Sequence, residues 1–501
     1  MSLTTFDSLV NDWGRLQLSL VTAAGLAVVI HFWAGAFRSN KSRQEPPPLT
    51  KNVGLFQTIA EITGGRMRDF LIEQFQKVGG IYRLPFPSFA PMVVVVANTQ
   101  DARAIYKDPA HTKPPVMYGA IDEFSSGPNI VTTRGVPGDS WYHRRKAINP
   151  AFAPKIVHRM NRVALEKAGK WIADTLAPLV GKDNMPPKPF NVGRETILLT
   201  IAVICKAAFD YDISDTEREE VRLSMQKGIE EFTIKTMINP LRRVGTWCLP
   251  DRREAYQAVA KLKTFAVKIM ELYRKNPSPT PDTVIDVIMK NPNYKDDSER
   301  IPDIVMMLFA GHDTTGYTMA FALLELAKSP NEQQKLRDEL INSKDEGASP
   351  PYLKAVLNET MRLHPTSPLT GIKELGSDFA SKDGYLVPKG SIIFIAQIAL
   401  ARDAILFPDA FQFQPSRWLE GNVTEDAKQA LFPFSLGKRN CVGQPLVNAQ
   451  LNSVLPLLIR QFEFTVEDEG QIVTQGTTRL DNCYLKATKI AEWSWNESTF
   501  D

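Results

Sequence analysis

Three kinds of hydrophobic pattern follow one another along the chain. Leu16 to Phe37 is an apolar run without a single Asp, Glu, Lys or Arg. At about 1.5 Å per residue a helix of that length crosses a bilayer core of roughly 30 Å. Ile81 to Pro85 and Pro91 to Ala97 are short and rich in β-branched residues around a Pro-rich turn, which predicts two strands; the second reads MVVVVA. From about Asp139 to Leu363 the apolar positions recur with helical spacing, broken near Pro186 and Pro277. Ile301 to Leu326 is the longest such pattern, and Ala310-Gly311-His312-Asp313-Thr314-Thr315 interrupts it. Gly390 to Ala399 returns to strand character. Phe407 to Asn440 is irregular and rich in aromatics and proline, and Leu446 to Phe462 predicts an amphipathic helix started by Pro445.

These elements predict a mainly α body with a small β-sheet subdomain. Residues 1–15 read as an N-terminal tail, 16–37 as a transmembrane anchor, 38–53 as a basic, Pro-rich hinge, and 54–501 as a single domain. Arg38, Lys41 and Arg43 follow the apolar run directly, so the positive-inside rule sets the body on the cytosolic side. A cleaved signal peptide is the competing reading, but the run is long and the residues before it are not basic. Pro46-Pro47-Pro48 is expected to act as a stiff spacer lifting the body off the membrane.

Composition narrows the function classes. Of 501 residues, 43% are hydrophobic and 23% charged, which suits a globular protein with a substantial core. A formal charge of +3, without a basic stripe interleaved with aromatics, argues against nucleic acid as a partner. Cys205, Cys248, Cys441 and Cys483 have no C-x-x-C spacing and are too few for a disulfide framework.

One cysteine stands in unusual company. Phe434 to Gly443 reads FSLGKRNCVG and surrounds Cys441 with an aromatic, two glycines and an arginine. A thiolate needs donors and positive charge to stay deprotonated. Gly437 and Gly443 are expected to turn the backbone so that its N–H groups approach the sulfur, Phe434 to cover a flat ligand, and Arg439 to meet a carboxylate. A haem ligated by Cys441, with a propionate on Arg439, joins these parts; a structural cysteine in a turn is the bland alternative.

In the interrupted helix, Gly311 removes a side chain so that a flat cofactor or O2 can approach, and Thr314 can bond a backbone carbonyl and open the turn. Asp313 and Thr314 form an acid and alcohol pair suited to relaying protons. His312 is expected to face away into the core. Glu359 and Arg362 lie three apart on one helical face, where they can pair. Trp141 and Arg145 lie four apart, so an indole N–H and a guanidinium can address one carboxylate.

Together these segments resemble the cytochrome P-450 superfamily, over roughly Gly54 to Leu485. Phe434, Gly437, Arg439, Cys441 and Gly443 match its haem-binding loop, AGHDTT its distal-helix motif, Glu359 and Arg362 its Glu-x-x-Arg element, and Arg417 in FQPSRW the third member of that structural triad. Trp141 and Arg145 match its WxxxR pattern, and Lys373 stands where many relatives carry another propionate-binding cation. The resemblance implies haem b with an axial cysteine thiolate, O2 as co-substrate, and electrons from NADPH through an NADPH-cytochrome reductase, with cytochrome b5 as a second donor. It implies a single-pass protein of the endoplasmic reticulum membrane and a monooxygenase acting on a fatty acid, sterol or terpenoid-like compound. Some fatty-acid hydroxylases of the most similar clan attach haem through a glutamate at the position of Ala310; alanine implies non-covalent haem. Leu446, Val447 and Gln450 depart from the usual Phe, Ala and Glu after the cysteine.

Arg144, Arg145, Lys146, Lys155, Arg159 and Lys438 are expected to form a basic face for an acidic reductase. By the same resemblance, substrate contacts are expected from Lys113 to Thr133, Tyr211 to Trp247, the helix face around Val305 and Phe309, Thr366 to Ile372, and Thr474 to Thr478. Met237, Ile238, Leu241, Val244 and Trp247 are expected to dip into the membrane. An isomerase or dehydratase of lipid peroxides, or a haem-binding sensor, would share the cysteine socket without needing the acid and alcohol pair.

Overall fold

The computed structural model describes residues 45–88, 90–136, 138–181, 186–278, 282–343 and 350–490. The anchor expected over 16–37 lies outside them. Among the described residues no helix is long and apolar enough to cross a membrane.

The longest apolar pattern becomes one helix, Asp297–Lys328, capped by Asp296, whose side chain accepts from Ser298 N at 2.8 Å. Buried residues surround it, because helices pack on several sides. The helix Val192–Phe209 crosses it closely: a Cβ on Gly311 would stand 2.5 Å from Ile204 Cδ1, and one on Gly316 2.7 Å from Ile197 Cδ1. Thr200 Oγ1 seals the crossing by donating to the His312 carbonyl at 3.0 Å. The Ala310 to Thr315 segment does not break this helix. Thr314 Oγ1 donates to Ala310 O at 3.0 Å and Thr318 Oγ1 to Thr314 O at 2.8 Å, so each hydroxyl is satisfied within the helix without opening a turn.

The small sheet has the spatial order Ile81–Arg83, Val93–Val96, Ile392–Ile395, Gly371–Glu374. Val93 to Val96 run parallel to Ile392 to Ile395, and both strands are fully buried, as their unbroken apolar sequences require. The strands are shorter than expected: Pro85 and Pro91 lack a donor, and Gln397–Leu400 coils into a helical turn. The Pro-rich segment is not a free spacer. Pro47 is buried, Pro48 O accepts from Arg83 N at 2.8 Å, and Pro47 O accepts from Arg83 Nε at 3.1 Å. Proline can serve a sheet edge only as an acceptor, and it does so here.

After the irregular stretch, Gln444–Gln461 forms the expected helix with Pro445 in its first turn; Phe462 instead opens the strand Phe462–Asp468.

Candidate haem site

The loop before that last helix is folded back on itself. Gly437 has φ +72°, a conformation that favours glycine, and Cys441 N donates to Phe434 O at 2.9 Å. Gly443 differs from expectation, since its φ of −82° needs no glycine. Its role is proximity: its amide, with that of Gln444, is directed to the Cys441 sulfur, at the N-terminus of Gln444–Gln461. Burial pushes the Cys441 thiol up, and the two amides and the Arg145 guanidinium only partly oppose this. A cation bound at the sulfur would favour the thiolate further. Cys441 keeps accessible surface, and that surface faces the cavities it lines.

The cavity between the cysteine loop and the long helix, about 320 Å³, brings the predicted residues together. Phe434, Arg439, Cys441 and Gly443 line it from the cysteine loop, and Trp141 and Arg145 from the helix Trp141–Ile148. From the long helix come Met306, Met307, Ala310, Gly311, Thr314 and Thr318, a single stripe at helical spacing. Val305 and Phe309, expected on this face, are not among them: Val305 is in the core, and Phe309 packs edge-on against Phe124. Gly311 touches the cavity, but its missing side chain makes room for Ile204 rather than for a ligand. Ile204, Ala208, Met361 and Phe152 also line the cavity, none of them expected. Of the other expected substrate segments, Lys113, Tyr118, Ile130, Val131, Thr366, Ser367, Thr370, Gly371 and Ile372 contribute, whereas Tyr211 to Trp247 and Thr474 to Thr478 do not reach this lining.

The acid and alcohol pair is split by the helix. Thr314 faces the cavity, while Asp313 is buried behind it, its carboxyl pushed up by burial and only partly held down by His312, the Thr477 hydroxyl and Arg479. Asp313 Oδ2 is buried without a hydrogen-bond partner among the described residues. His312 sits in the core as expected, its Nδ1 2.6 Å from Leu308 O.

Four cations converge at one end of the cavity: Lys113, Arg145, Lys373 and Arg439. Arg439 lies over the Trp141 ring, 4.0 Å from its centroid, and donates to Thr133 O at 2.6 Å. Burial lowers it to about 10 despite Asp139 nearby. Lys373 is lowered by burial and by Arg439 to about 8, and no carboxylate among the described residues offsets it. Arg145 is nearer the sulfur than expected for a pure propionate ligand, with two donors on Asn440, at 2.7 Å to O and 2.9 Å to Oδ1. A cavity with a cysteine sulfur on its wall, apolar flanks and uncompensated buried cations at one end fits a haem with its two carboxylates.

Glu359 organises the loop that carries the cysteine. Arg362 Nε and Nη2 donate to its two oxygens at 2.8 Å each, Arg417 Nε at 2.9 Å, and Trp418 Nε1 at 2.8 Å. Arg362 also binds the carbonyls of Ala401, Ala410 and Gln412, at 2.8, 2.6 and 3.1 Å. The triad thus ties a helix to the irregular stretch. Trp418 and Gly135 are additions to the expected set; a Cβ on Gly135 would fall 2.5 Å from Arg439 Nη2.

The expected basic face is smaller than its sequence. Arg144 is buried against Asp303, and Arg159 is shared among Asp210, Asp282 and Ala207 O, leaving Lys146, Lys155 and Lys438 exposed.

Residues 46–487 match the family model described as Cytochrome P450. The chain is 27% identical to "Cytochrome P450 71B34" of Arabidopsis thaliana, covering 92% of this chain and 93% of that protein. It is 26% identical to "Probable cytochrome P450 4ac1" of Drosophila melanogaster over 81% and 82%. A shorter match, 32% identical over 42% of this chain and 46% of the relative, is to "Ferruginol synthase" of Salvia miltiorrhiza. The fold, the cavity and these likenesses define a haem-thiolate monooxygenase. The chain belongs to the cytochrome P450 family, whose members bind haem through a cysteine and use O2.

Proposed function

We propose that this chain inserts one oxygen atom from O2 into a hydrophobic lipid or terpenoid-like substrate, with Cys441 as the haem ligand. One observation carries the reading: Cys441 and the stripe from Ala310 to Thr314 line the same cavity. When bound, the haem supplies reductive activation of O2, which a thiolate ligand promotes by donating electron density. Arg439, Trp141, Arg145 and Lys373 would hold its carboxylates, and Ala310, lacking a carboxyl, would leave it non-covalent. Thr314 sets Oγ1 on the cavity wall, its proton donated to Ala310 O at rest and its lone pairs left to accept and pass on a proton, and Asp313, its carboxyl pushed up by burial, is the proton reserve behind it. Met306, Met307 and Ile204 keep water out of the substrate end.

Electrons come from an NADPH-dependent reductase docking near Lys146, Lys155 and Lys438, with cytochrome b5 as a second donor. The anchor at 16–37 would hold the single catalytic domain at the endoplasmic reticulum membrane. Val244 and Trp247, each 78% exposed, support contact with lipid and substrate entry from it. Met237 and Ile238 pack partly against the core instead.

An optical titration of the purified ferric protein tests the substrate class, using a fatty-acid series beside a sterol and terpenoid panel. A saturable, chain-length-dependent shift from low to high spin supports an acyl substrate. A shift given only by polycyclic ligands excludes fatty-acid hydroxylation.

A further inference from the structure

Arg402 is a buried cation with no carboxylate bonded to it among the described residues. It is 3% exposed, and its guanidinium donates to three carbonyls: Nη1 to Arg362 O at 3.1 Å and Ile398 O at 3.3 Å, and Nη2 to Leu363 O. Arg362 and Leu363 end the helix Pro351–Leu363, whose carbonyl dipole offsets part of the charge. Even so, burial, with the charges of Arg68 and Arg362, lowers Arg402 well below the usual arginine range, against Glu359 and Asp69. Its Nε has no hydrogen-bond partner among the described residues. Two further buried nitrogens share that condition: Arg68 Nε, from the helix Met67–Val78, and His364 Nδ1. The charges of Arg68 and Arg402 both act on His364, so the three belong to one cluster. The acids around it are already engaged. Arg68 Nη1 donates to Asp69 Oδ1 at 3.0 Å, His364 Nε2 lies 2.8 Å from Glu325 Oε1, Arg362 and Arg417 share Glu359, and Lys328 pairs with Glu469. The His364 ring stacks flat on Phe321, with centroids 4.4 Å apart, which fixes where Nδ1 points. None of the three side chains lines the haem cavity, although Pro365 and Thr366 beside His364 do.

We propose that Arg68, His364 and Arg402 form a binding site for one small monovalent anion of halide size, held by the Nε–H groups of the two arginines. A buried guanidinium with a free N–H and no bonded acid is stabilised most by a negative charge within hydrogen-bond reach. His364 joins when it takes a proton from solvent: Nε2–H stays on Glu325, and Nδ1–H becomes a third donor to the anion. Without the anion, burial and both guanidinium groups oppose that proton, and Glu325 favours it. By linkage the anion raises His364 from its lowered folded value. The proton-linked part of the anion's affinity is therefore full below the lowered value and is lost as pH rises through the raised one.

The test measures thermal midpoints of the full-length holoenzyme in rising sodium chloride, with sodium gluconate holding the ionic strength constant, at about pH 6 and about pH 8. The wild-type midpoint should rise by about 1–3 °C and saturate, with the larger rise at the lower pH, and bromide should replace chloride. Arg68 is the member to change first, because its side chain is 19% exposed and the fold depends on it least. Arg68→Met should lose most of the chloride shift, and Arg68→Lys, which keeps the charge, should retain part of it. Arg402→Met should lose the shift altogether; if that variant does not fold, Arg68→Met decides alone. Equal saturable shifts at both pH values overturn the part assigned to His364. No difference between chloride and gluconate, or a rise that stays linear and survives Arg68→Met, overturns the site. Arg402 is then only a cap on the helix Pro351–Leu363, with water on its Nε.

Discussion

Arg439 stands over Trp141, with 4.0 Å between guanidinium carbon and ring centroid, so the cysteine loop and the helix Trp141–Ile148 are joined through one cation and one indole. Gly135 also abuts this guanidinium: its backbone has φ +80° and leaves no room for a side chain against Arg439. Gly135→Ala should cost about 1–2 kcal/mol in backbone strain alone and displace Arg439 as well. Haem loss to apomyoglobin should accelerate about tenfold, with the spectrum of the remaining bound haem unchanged.

Glu359 is fully buried and accepts from Arg362, Arg417, Trp418 and the Gln414 amide. Removing its charge strands two guanidinium groups, and Glu359→Gln should destabilise by about 3–5 kcal/mol. Burial alone would raise the Glu359 carboxyl, but the bonds and charges of Arg362 and Arg417 outweigh it and hold the group below its ordinary 4.5. Its contribution is therefore complete above pH 4.5 and is lost as pH falls through the depressed folded value. Urea midpoints measured across an acid series should show the wild-type advantage over Glu359→Gln narrowing toward low pH.

Gly311 reads in the sequence as an opening for a ligand, and in the structure it is a notch for Ile204. Gly311→Ala should cost about 1–3 kcal/mol by overpacking, and Ile204→Val combined with it should recover part of that loss. Thermal unfolding of the two single variants and the double variant measures the coupling.

What the sequence reveals on its own divides along physical lines. The Glu359–Arg362 pair, the cysteine loop and the helix after it can be read directly because each is set by short-range spacing: two residues three apart on a helix face, a left-handed glycine, a proline in a first turn; Arg417, which lies in the separate turn Pro415–Trp418, is reached only through the family resemblance. The phase of the long helix cannot. An all-round apolar helix has no polar face to mark which stripe meets the cavity, so the sequence points to Val305 and Phe309 where Met306, Met307 and Ala310 stand. Arg144 and Arg145 are adjacent and chemically alike, yet one is buried on Asp303 and the other faces the sulfur; only partners far away in the chain decide. The Pro-rich segment reads as a spacer for a related reason, since its docking to Arg83 depends on a sheet edge that the local sequence does not show.

Thr314 carries a hydroxyl on the cavity wall, and its bond to the Ala310 carbonyl fixes where that hydroxyl points. Thr314→Ala should leave haem binding intact but uncouple turnover, lowering product formed per NADPH consumed by about a hundredfold, at the low end for loss of a positioned acid or base. Thr314→Ser should restore most of the coupling. Asp313→Asn should slow turnover without altering the spin-shift titration or haem retention, because Asp313 lies outside the cavity lining.

The assignment of the haem ligand stands or falls on the ferrous–carbon monoxide spectrum of the wild type beside Cys441→Ser. The wild type should give the red-shifted Soret band of a thiolate complex and the variant should lose it, with Cys205, Cys248 and Cys483 unable to substitute because none of them lines the cavity. A red-shifted band that survives Cys441→Ser would contradict ligation by this cysteine.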